Sequence, residues 1–422
     1  MLDIKLIREH ADAVREGVRR KGMDHSAVDE AIRLDEERRK GIQHAETLKS
    51  RKNTVSAQVA KMKSKGEDAS AIIAEMRGVA DEIKAADDGL RSVEERLQAV
   101  MLSIPNLPHS SVPEGKTPAD NKVIAEWGEP PVIDFAPKPH WELVEKLKII
   151  DFARGTKITG AGFPVYIGKG AQLERALINF FLDQAAGRGY TEMMPPLLVN
   201  EASARGTGQL PDKEDQMYVV ERDNFFMIPT AEVPVTNFYR DETLHENQLP
   251  LKFCSYTPCF RREAGSYGKD VRGLNRVHQF NKVELVKLVH PDRSYDELEG
   301  LREDAEHLLR KLGYKYHTLL MCSGDLGFTQ TKKYDLEVWS LGQQKWLEVS
   351  SISNFESYQA RRMNIRYKPE AGGKPEFVHT LNGSALALPR IMAALLEQNQ
   401  TPEGKVVVPK VLHEYTGFEV IG

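Results

Sequence analysis

Met76, Val79, Ile83, Ala86, Leu90, Val93, Leu97 and Val100 follow one another at steps of 3, 4, 3, 4, 3, 4 and 3 residues. Kept for more than three heptads, such spacing lays an apolar seam along a helix and demands a second helix to cover it. The partner lies upstream, where Leu48, Val55 and Met62 recur every seven residues with Val59 between. Lys65-Gly66-Glu67-Asp68 separates the two series and offers a turn. Two long helices folded back as an antiparallel hairpin satisfy both series. A first helix from about Ala27 to Lys65 would run roughly 60 Å at about 1.5 Å per residue, and is expected to protrude as an arm.

The charge on this arm is lopsided. Between Arg38 and Lys65 there are nine bases and a single acid, Glu46, whereas Glu67 to Arg96 holds nine acids and four bases. Two readings stand side by side. The helices attract one another as a solvated coiled coil, or the basic strip meets a phosphate backbone. Arg38, Arg39, Lys49, Arg51 and Lys52 are the candidates for the second. Aromatic side chains are few here, so the arm would read backbone and shape, as proteins do with double-helical RNA, rather than stack on bases.

Residues 1–104 contain neither proline nor tryptophan, and Pro105 and Pro108 then end any helix. A boundary is expected there, with a helical arm over 1–105 and a catalytic domain over 106–422. The net charge of −4 rules out a chain that is adhesive to nucleic acid as a whole. No run of about 18 apolar residues suggests a membrane span, and the charged start is no signal peptide. Cys254, Cys259 and Cys322 are too few and scattered for a disulfide framework or a structural zinc site, so a cytoplasmic location is expected.

The second half reads as mixed α and β. Gly170 to Gly187 is an amphipathic helix closed by glycine, followed by a strand from Tyr190 that stops at Pro195-Pro196. Lys252 to Pro258 and Val277 to Val289 read as strands, Ser294 to Leu312 as helix. Two short strands, from Leu336 and from Trp346, turn at Gly342, and Leu386 to Glu397 forms a last helix. Helices do not alternate with strands, which points to an α+β fold. Its expected form is an antiparallel β-sheet core flanked by helices, with the N-terminal coiled-coil hairpin appended. No Walker loop or strand-borne Gly-x-Gly-x-x-Gly is present.

Thr257 to Phe280 gathers Arg261, Arg262, Lys269, Arg272 and Arg276 between the two strands. Arginine is planar, always charged and bidentate, which suits it to phosphate. Arg261 is expected on a strand, fixed; Arg272 and Arg276 sit on a glycine-bearing loop that lets them move. Phe280 offers a flat face to a purine, worth roughly 1–3 kcal/mol where such stacking is measured on bases. Glu263 has the reach to accept from an exocyclic amine. The stretch suits ATP held without a Walker loop, or else a basic hairpin on a solvated edge.

Phe260-Arg261-Arg262-Glu263, a variable loop and then Val277-His278-Gln279-Phe280 resemble motif 2 of the class II aminoacyl-tRNA synthetases. Gly170 to Pro196 is similar to their motif 1, and Asn382 to Arg390 to motif 3. More narrowly, Pro229-Thr230-Ala231-Glu232, Gly273 to Glu284, Glu348 to Phe355 and the helical hairpin resemble the bacterial seryl-tRNA synthetase family over essentially the whole chain. Within that resemblance Lys61 to Lys65 is a decoy: it echoes a class I loop, but lies mid-helix without its partner motif. Glu414 departs from the family, which commonly has proline before that tyrosine.

The resemblance implies ATP-dependent attachment of L-serine to tRNA(Ser) through a seryl-adenylate, extending to selenocysteine tRNA where that exists. It implies Arg261 and Arg390 as catalytic, with Arg261 on the α-phosphate, Glu263 on the adenine amine, and Phe280 and Arg390 on opposite faces of adenine. Arg262, Val349 and Ser350 complete the ATP set, and Glu348 and Ser351 would hold Mg²⁺ that enters with ATP. Thr230, Ala231 and Glu232 fall to the serine ammonium region, Glu284 and Ser384 to its hydroxyl. The basic strip then becomes the tRNA contact and motif 1 a homodimer seam, with no membrane or DNA partner. A site that hydrogen-bonds a hydroxyl rejects the analogue lacking it by about 10⁴–10⁵, so Glu284 would exclude alanine.

Read alone, several of these residues are ordinary. Thr230-Ala231-Glu232 is a helix N-cap, Glu284 a strand acid, Ser350-Ser351 a turn and His278 a packed strand histidine. Two other functions stand against the synthetase: a catalytically silent RNA-binding paralogue, and a ligase that loads a small amino acid onto a carrier protein. The intact Arg261, Glu263, Glu348 and Arg390 oppose the first, and the long basic arm opposes the second.

Overall fold

The computed structural model describes residues 1–264 and 272–422, the side chain of Glu75 excepted. Lys269 therefore lies outside the described residues. The chain divides into two compact units, Met1–Pro105 and Asn106–Gly422.

The first unit is helical. Helices α1 (Ile4–Glu9) and α2 (Ala11–Arg20) precede α3 (Ser26–Ser64) and α4 (Ser70–Ser103). The long pair is antiparallel: Arg96 faces Glu37 at 3.7 Å, Leu90 packs over Gly41, and Lys49 reaches Asp87 at 2.8 Å. Val79, Val93 and Leu97 of the seam are buried, and its other members are half-buried. Near the base, Asp35 is 1% exposed and collects Arg8, Arg38 and Arg39 at 3.1, 2.9 and 3.3 Å. A buried carboxylate needs such partners, since an unpaired one would lose its hydration without return.

The second unit is built on one eight-stranded sheet. Its strands in chain order are β1 (Lys122–Trp127), β2 (Thr191–Glu192), β3 (Leu251–Phe260), β4 (Gln279–Val289), β5 (Tyr316–Leu320), β6 (Lys332–Ser340), β7 (Lys345–Asn354) and β8 (His379–Ala387). Across the sheet they lie in the order β1-β5-β6-β7-β8-β4-β3-β2. All pairs are antiparallel except the edge pair β2–β3, where Thr191 lies beside Phe253 in parallel. β6 and β7 are longer than the short alternating strands expected from sequence.

Period two divides the faces of β4. Val283 and Leu285 enter the main core, built with α6 (Lys169–Gly187), α8 (Ser294–Leu312) and α9 (Leu388–Gln398); α5 (His140–Leu147) and α7 (Glu232–Thr236) complete the helices used below. On α8, Leu298, Leu301, Ala305, Leu308, Leu309 and Leu312 form the buried stripe, and Gly313 closes it at φ 77°, a left-handed turn that glycine adopts without steric penalty. The other face of β4 carries Lys282 and Glu284 and, further on, Val286 and Leu288, which pack with Ala231 and Val235 of a second core. That face holds the site.

Candidate active site

A cavity of about 540 Å³ opens over β4, β6, β7 and β8. Phe280, Lys282 and Glu284 enter it as alternate residues of β4. Facing them come Glu348 and Ser351 from β7, Ser384 from β8 and Arg390 from the first turn of α9. Phe280 and Arg390 thus share one cavity.

Two irregularities aim these side chains. In an unbroken strand Glu348 and Ser351 would face opposite sides. The β6–β7 pairing shifts register between Leu336 and Glu337, so that Leu336 pairs with Ser350 but Glu337 with Glu348. The extra residue on β7 turns both Glu348 and Ser351 to the cavity, the re-aiming that bulges accomplish. A second shift, between Lys282 and Glu284, sets Glu284 directly opposite Ser384, whose hydroxyl lies 3.3 Å from Glu284 Oε2.

Arg261 stands one residue past the end of β3, not on the strand, yet its backbone is still held to the neighbouring chain: its N–H donates to His278 O at 2.9 Å. Its Nε donates to Pro229 O at 3.3 Å, and its guanidinium lies 5.0 Å from the Phe280 ring centroid. Glu263 has a φ of +49°, uncommon for a side-chain-bearing residue, and takes Arg276 Nη1 at 2.7 Å. Arg390 donates from Nη1 to Glu348 O at 2.8 Å and from Nε to Asn275 O at 3.3 Å.

Thr230 and Glu232 line the cavity beside Glu284. The Glu232 backbone N–H donates to Thr230 Oγ1 at 3.2 Å, so the cap-like reading of this tripeptide and its place at the cavity coexist. Glu232 Oε1 accepts from Gln359 Nε2 at 2.7 Å. Burial, followed by the nearby charge of Glu284, holds the Glu232 pKa above the ordinary carboxylate value. Burial would raise Glu348 too, but Lys333, Arg390 and Arg261 outweigh it and hold its pKa low. Among the described residues no cluster of three or more His, Cys, Asp or Glu could cage a metal. One carboxylate and one hydroxyl on a common face suit Mg²⁺ carried in by phosphates, since that ion keeps most of its shell from water and substrate.

Not every expected residue is drawn in. Ala231 is fully buried in the second core, and neither it nor Arg262, whose N–H donates to Gln216 O, lines the cavity. Val349 and Ser350 do border the cavity, although Val349 also packs in the main core and the Ser350 hydroxyl donates to Ser384 O at 2.6 Å. Arg272, expected on a movable loop, has its guanidinium 4.9 Å from the Trp141 ring centroid. On α3, Arg38 and Arg39 are tied to Asp35 of the same helix, while Lys49 pairs across to Asp87 and Glu37 to Arg96 of α4, so the helices do attract one another; Lys52 is exposed, with no ion pair among the described residues. His278 is packed against Phe163 and shares a 2.8 Å hydrogen bond with Tyr218.

Other residues escaped sequence reading. Lys282 lies between Thr230 and Glu284, and the period of β4 could have found it. Lys333 lines the cavity and pairs with Asp335 at 2.9 Å. Burial, partly offset by Lys333 and reinforced by Glu348, pushes Asp335 up to about 7. Behind the wall, His140 and Glu397 are both fully buried 2.8 Å apart, and Ser340 Oγ donates to the same carboxylate. His140 Nε2 accepts the Leu274 N–H at 2.9 Å, where Gly273 at φ +66° leaves no room for a Cβ against the ring. Asn275, which takes Arg390 Nε on its carbonyl, is thereby held from behind. No local signal marks a contact spanning 257 residues.

Comparison with known proteins gives a consistent result. Residues 1–108 match the family model described as the seryl-tRNA synthetase N-terminal domain, and 218–399 that of the tRNA synthetase class II core domain (G, H, P, S and T). The serine–tRNA ligase of Salinibacter ruber is 54% identical over 425 residues, covering 100% of this chain and 99% of the relative. The crystal structure of a Pyrococcus horikoshii seryl-tRNA synthetase complexed with ATP superposes with a TM-score of 0.94 at 36% identity, over 100% of this chain and 99% of that one. A Naegleria fowleri cytoplasmic serine–tRNA ligase in complex with AMP gives 0.89 at 28%, over 100% and 98%.

Proposed function

From a chain that belongs to the seryl-tRNA synthetase family, we propose an enzyme that attaches L-serine to tRNA(Ser) at the expense of ATP. The observation that carries this reading is the convergence of Arg261, Phe280, Glu284, Glu348, Ser384 and Arg390 on one cavity from three strands, a helix and the residue just past β3.

No protein nucleophile is required. A serine carboxylate oxygen attacks the α-phosphorus, the bond to the bridging oxygen breaks, and pyrophosphate departs with its electron pair. Seryl-adenylate remains. A terminal ribose hydroxyl of tRNA then attacks the activated carbonyl and AMP leaves. Catalysis is alignment plus neutralisation of growing charge by Arg261 and Arg390. Mg²⁺ held by Glu348 and Ser351 would add positive charge on the phosphates. Phe280 supports the adenine, Glu263 takes its amine, and Glu284 with Ser384 meets the serine hydroxyl. Selenocysteine tRNA, where present, would be serylated by the same steps.

The basic residues of α3, Arg51 and Lys52 among them, are assigned to the tRNA backbone, over residues 1–105 acting as the tRNA-binding arm and 106–422 as the catalytic domain. We further assign a homodimer. Support comes from Met194, Leu197 and Leu198, exposed just after the edge strand β2, and from Phe238, exposed and set edge-on to Phe253 of the neighbouring strand. The cytoplasm, where thiols stay reduced, suits the three unpaired cysteines.

The test is ATP–pyrophosphate exchange across a panel of amino acids, followed by charging of tRNA. Exchange with serine alone, and serylation of tRNA(Ser), is expected. No exchange with any amino acid would favour the silent paralogue, and exchange without tRNA charging would favour the carrier ligase.

A further inference from the structure

Past the end of β3 the backbone keeps its alternation through Arg262 before it bends. The Phe260 N–H donates to Ile228 O and the Arg262 N–H to Gln216 O, both at 2.9 Å, while the Arg261 N–H between them turns the other way, to His278 O. Glu263 then takes a φ of +49°, a left-handed conformation that is costly for any residue with a Cβ. Ala264 turns back to the same neighbour as Arg262. Its N–H donates to Gln216 Oε1 and its O accepts from Gln216 Nε2, each at 3.2 Å.

Gln216 thus holds the residue before the bend with its backbone and the residue after it with its side chain. Only a primary amide carries an acceptor oxygen and a donor nitrogen on one planar group, as pairing with both backbone groups of Ala264 requires. Hydrogen bonds of this kind are of the same order as the cost of the left-handed residue they enclose, so the clamp offsets strain that the bend would otherwise relax. The clamp has a fixed base: two residues on, the Tyr218 hydroxyl shares its hydrogen bond with His278 and Tyr218 O accepts the Met227 N–H at 2.9 Å. Gln216, Glu263, Arg276 and Phe280 all line the cavity, and Arg276 Nη1 on Glu263 Oε2 steadies the carboxylate at its tip.

We infer that Gln216 is a specificity-determining positioning residue: by clamping Arg262 and Ala264 it fixes the bend that aims the Glu263 carboxylate, and through it the preference for a purine with an exocyclic amine. A carboxylate accepts from that amine, finds nothing to accept from where the amine is missing, and repels the carbonyl oxygen of an oxopurine. Gln216 acts through Glu263, so its removal should cost discrimination between bases and leave the amino-acid end of the cavity alone. This deepens the proposed function and rests on its assignment of the adenine amine to Glu263.

The experiment measures the Kd of ATP and of purine riboside triphosphate, which lacks the amine, by titration calorimetry on wild type, Gln216→Met, Glu263→Ala and the double variant. Serine-dependent pyrophosphate exchange is followed alongside. Methionine matches glutamine in length and has neither amide group. In Gln216→Met the preference for ATP over the amine-free nucleotide is expected to fall about 5-fold or more, with KM for serine within about 2-fold of wild type. Because Gln216 acts through Glu263, the double variant should lose no more than about 2-fold beyond Glu263→Ala alone. An unchanged preference, equal weakening of both nucleotides, or additive losses would overturn the inference. If Gln216→Met does not fold, Gln216→Glu carries the test: it keeps the acceptor for the Ala264 N–H but cannot donate to the Ala264 carbonyl, so the preference should fall about 3-fold, and an intact preference overturns the inference. A wild type that binds the two nucleotides equally overturns it as well. A wild type that tells them apart, and loses that ability in Gln216→Met, yet exchanges with no amino acid supports the clamp and overturns the serine function, because binding is read without activation.

Discussion

Glu348 and Ser351 stand three residues apart on β7 and look into the same cavity, because one residue between them is bulged out of the ladder. Their joint aim yields a first prediction. Glu348→Gln and Ser351→Ala should each raise the Mg²⁺ concentration for half-maximal pyrophosphate exchange by on the order of tenfold, the loss expected from one charged or polar contact. A magnesium titration of exchange rate checks it; an unshifted midpoint in both variants would remove these residues from the metal.

Glu284→Ala should lower kcat/KM for serine by roughly 10–150-fold, the worth of about 1.5–3 kcal/mol for a hydrogen bond to a charged group. KM for ATP should hardly move. Equal loss in both parameters would make Glu284 a structural residue of β4.

The Arg51→Glu, Lys52→Glu double variant should leave pyrophosphate exchange intact and depress tRNA charging at low salt. The log–log slope of tRNA affinity against salt should flatten by about 0.7–0.9 for each phosphate that the arm no longer neutralises. Filter binding at several salt concentrations measures it, and an unchanged slope would return these residues to solvent.

Glu174 on α6 is 4% exposed; its Oε1 accepts from Asn281 Nδ2 at 3.0 Å and its Oε2 has no partner among the described residues. Burial, partly offset by Asn281, raises its pKa from 4.5 to about 7. The folded state thus binds the proton more tightly than the unfolded state. Stability from this group is full below pH 4.5 and declines as pH rises to about 7. Glu174→Gln removes that decline. Its unfolding free energy should match wild type near pH 4.5 and exceed it by on the order of 2–3 kcal/mol above pH 7. Urea melts across this range supply the measurement; a difference independent of pH would contradict the assignment.

His140→Ala leaves Glu397 buried without its main partner. A loss of about 3–5 kcal/mol in unfolding free energy is expected, as when one member of a buried pair is removed. The wall at Leu274 and Asn275 loosens with it, so KM for ATP should rise while KM for serine stays. Loss of stability with both KM values unchanged would confine His140 to the core.

What could be read from the chain follows from the range of the interactions involved. The hairpin was legible because its seam repeats locally, and α8 because its stripe and closing glycine are local too. Phe280 and Glu284 were legible because a two-residue period carries both to one face, and the same period should have yielded Lys282. The shift that brings Ser351 round to Glu348 was not legible: a bulge is a property of two strands, and nothing within Glu348 to Ser351 announces the residue that β6 fails to match. His140 was hidden for a similar reason, since its partners Glu397 and Leu274 are remote in sequence. The place of Arg272 beside Trp141 was not legible either, because the two lie far apart in sequence.

The long helix α3 has its last fully buried residue at Leu48, although it runs on to Ser64. Beyond that point Val55, Val59 and Met62 are only half covered. The packing of α3 is therefore close at one end and looser at the other, although Val79 of α4 stays buried alongside that looser stretch. Amide protons should exchange fastest in the outer third of α3 and slowest around Leu34, so that whatever grips the far end works against the weakest part of the lever.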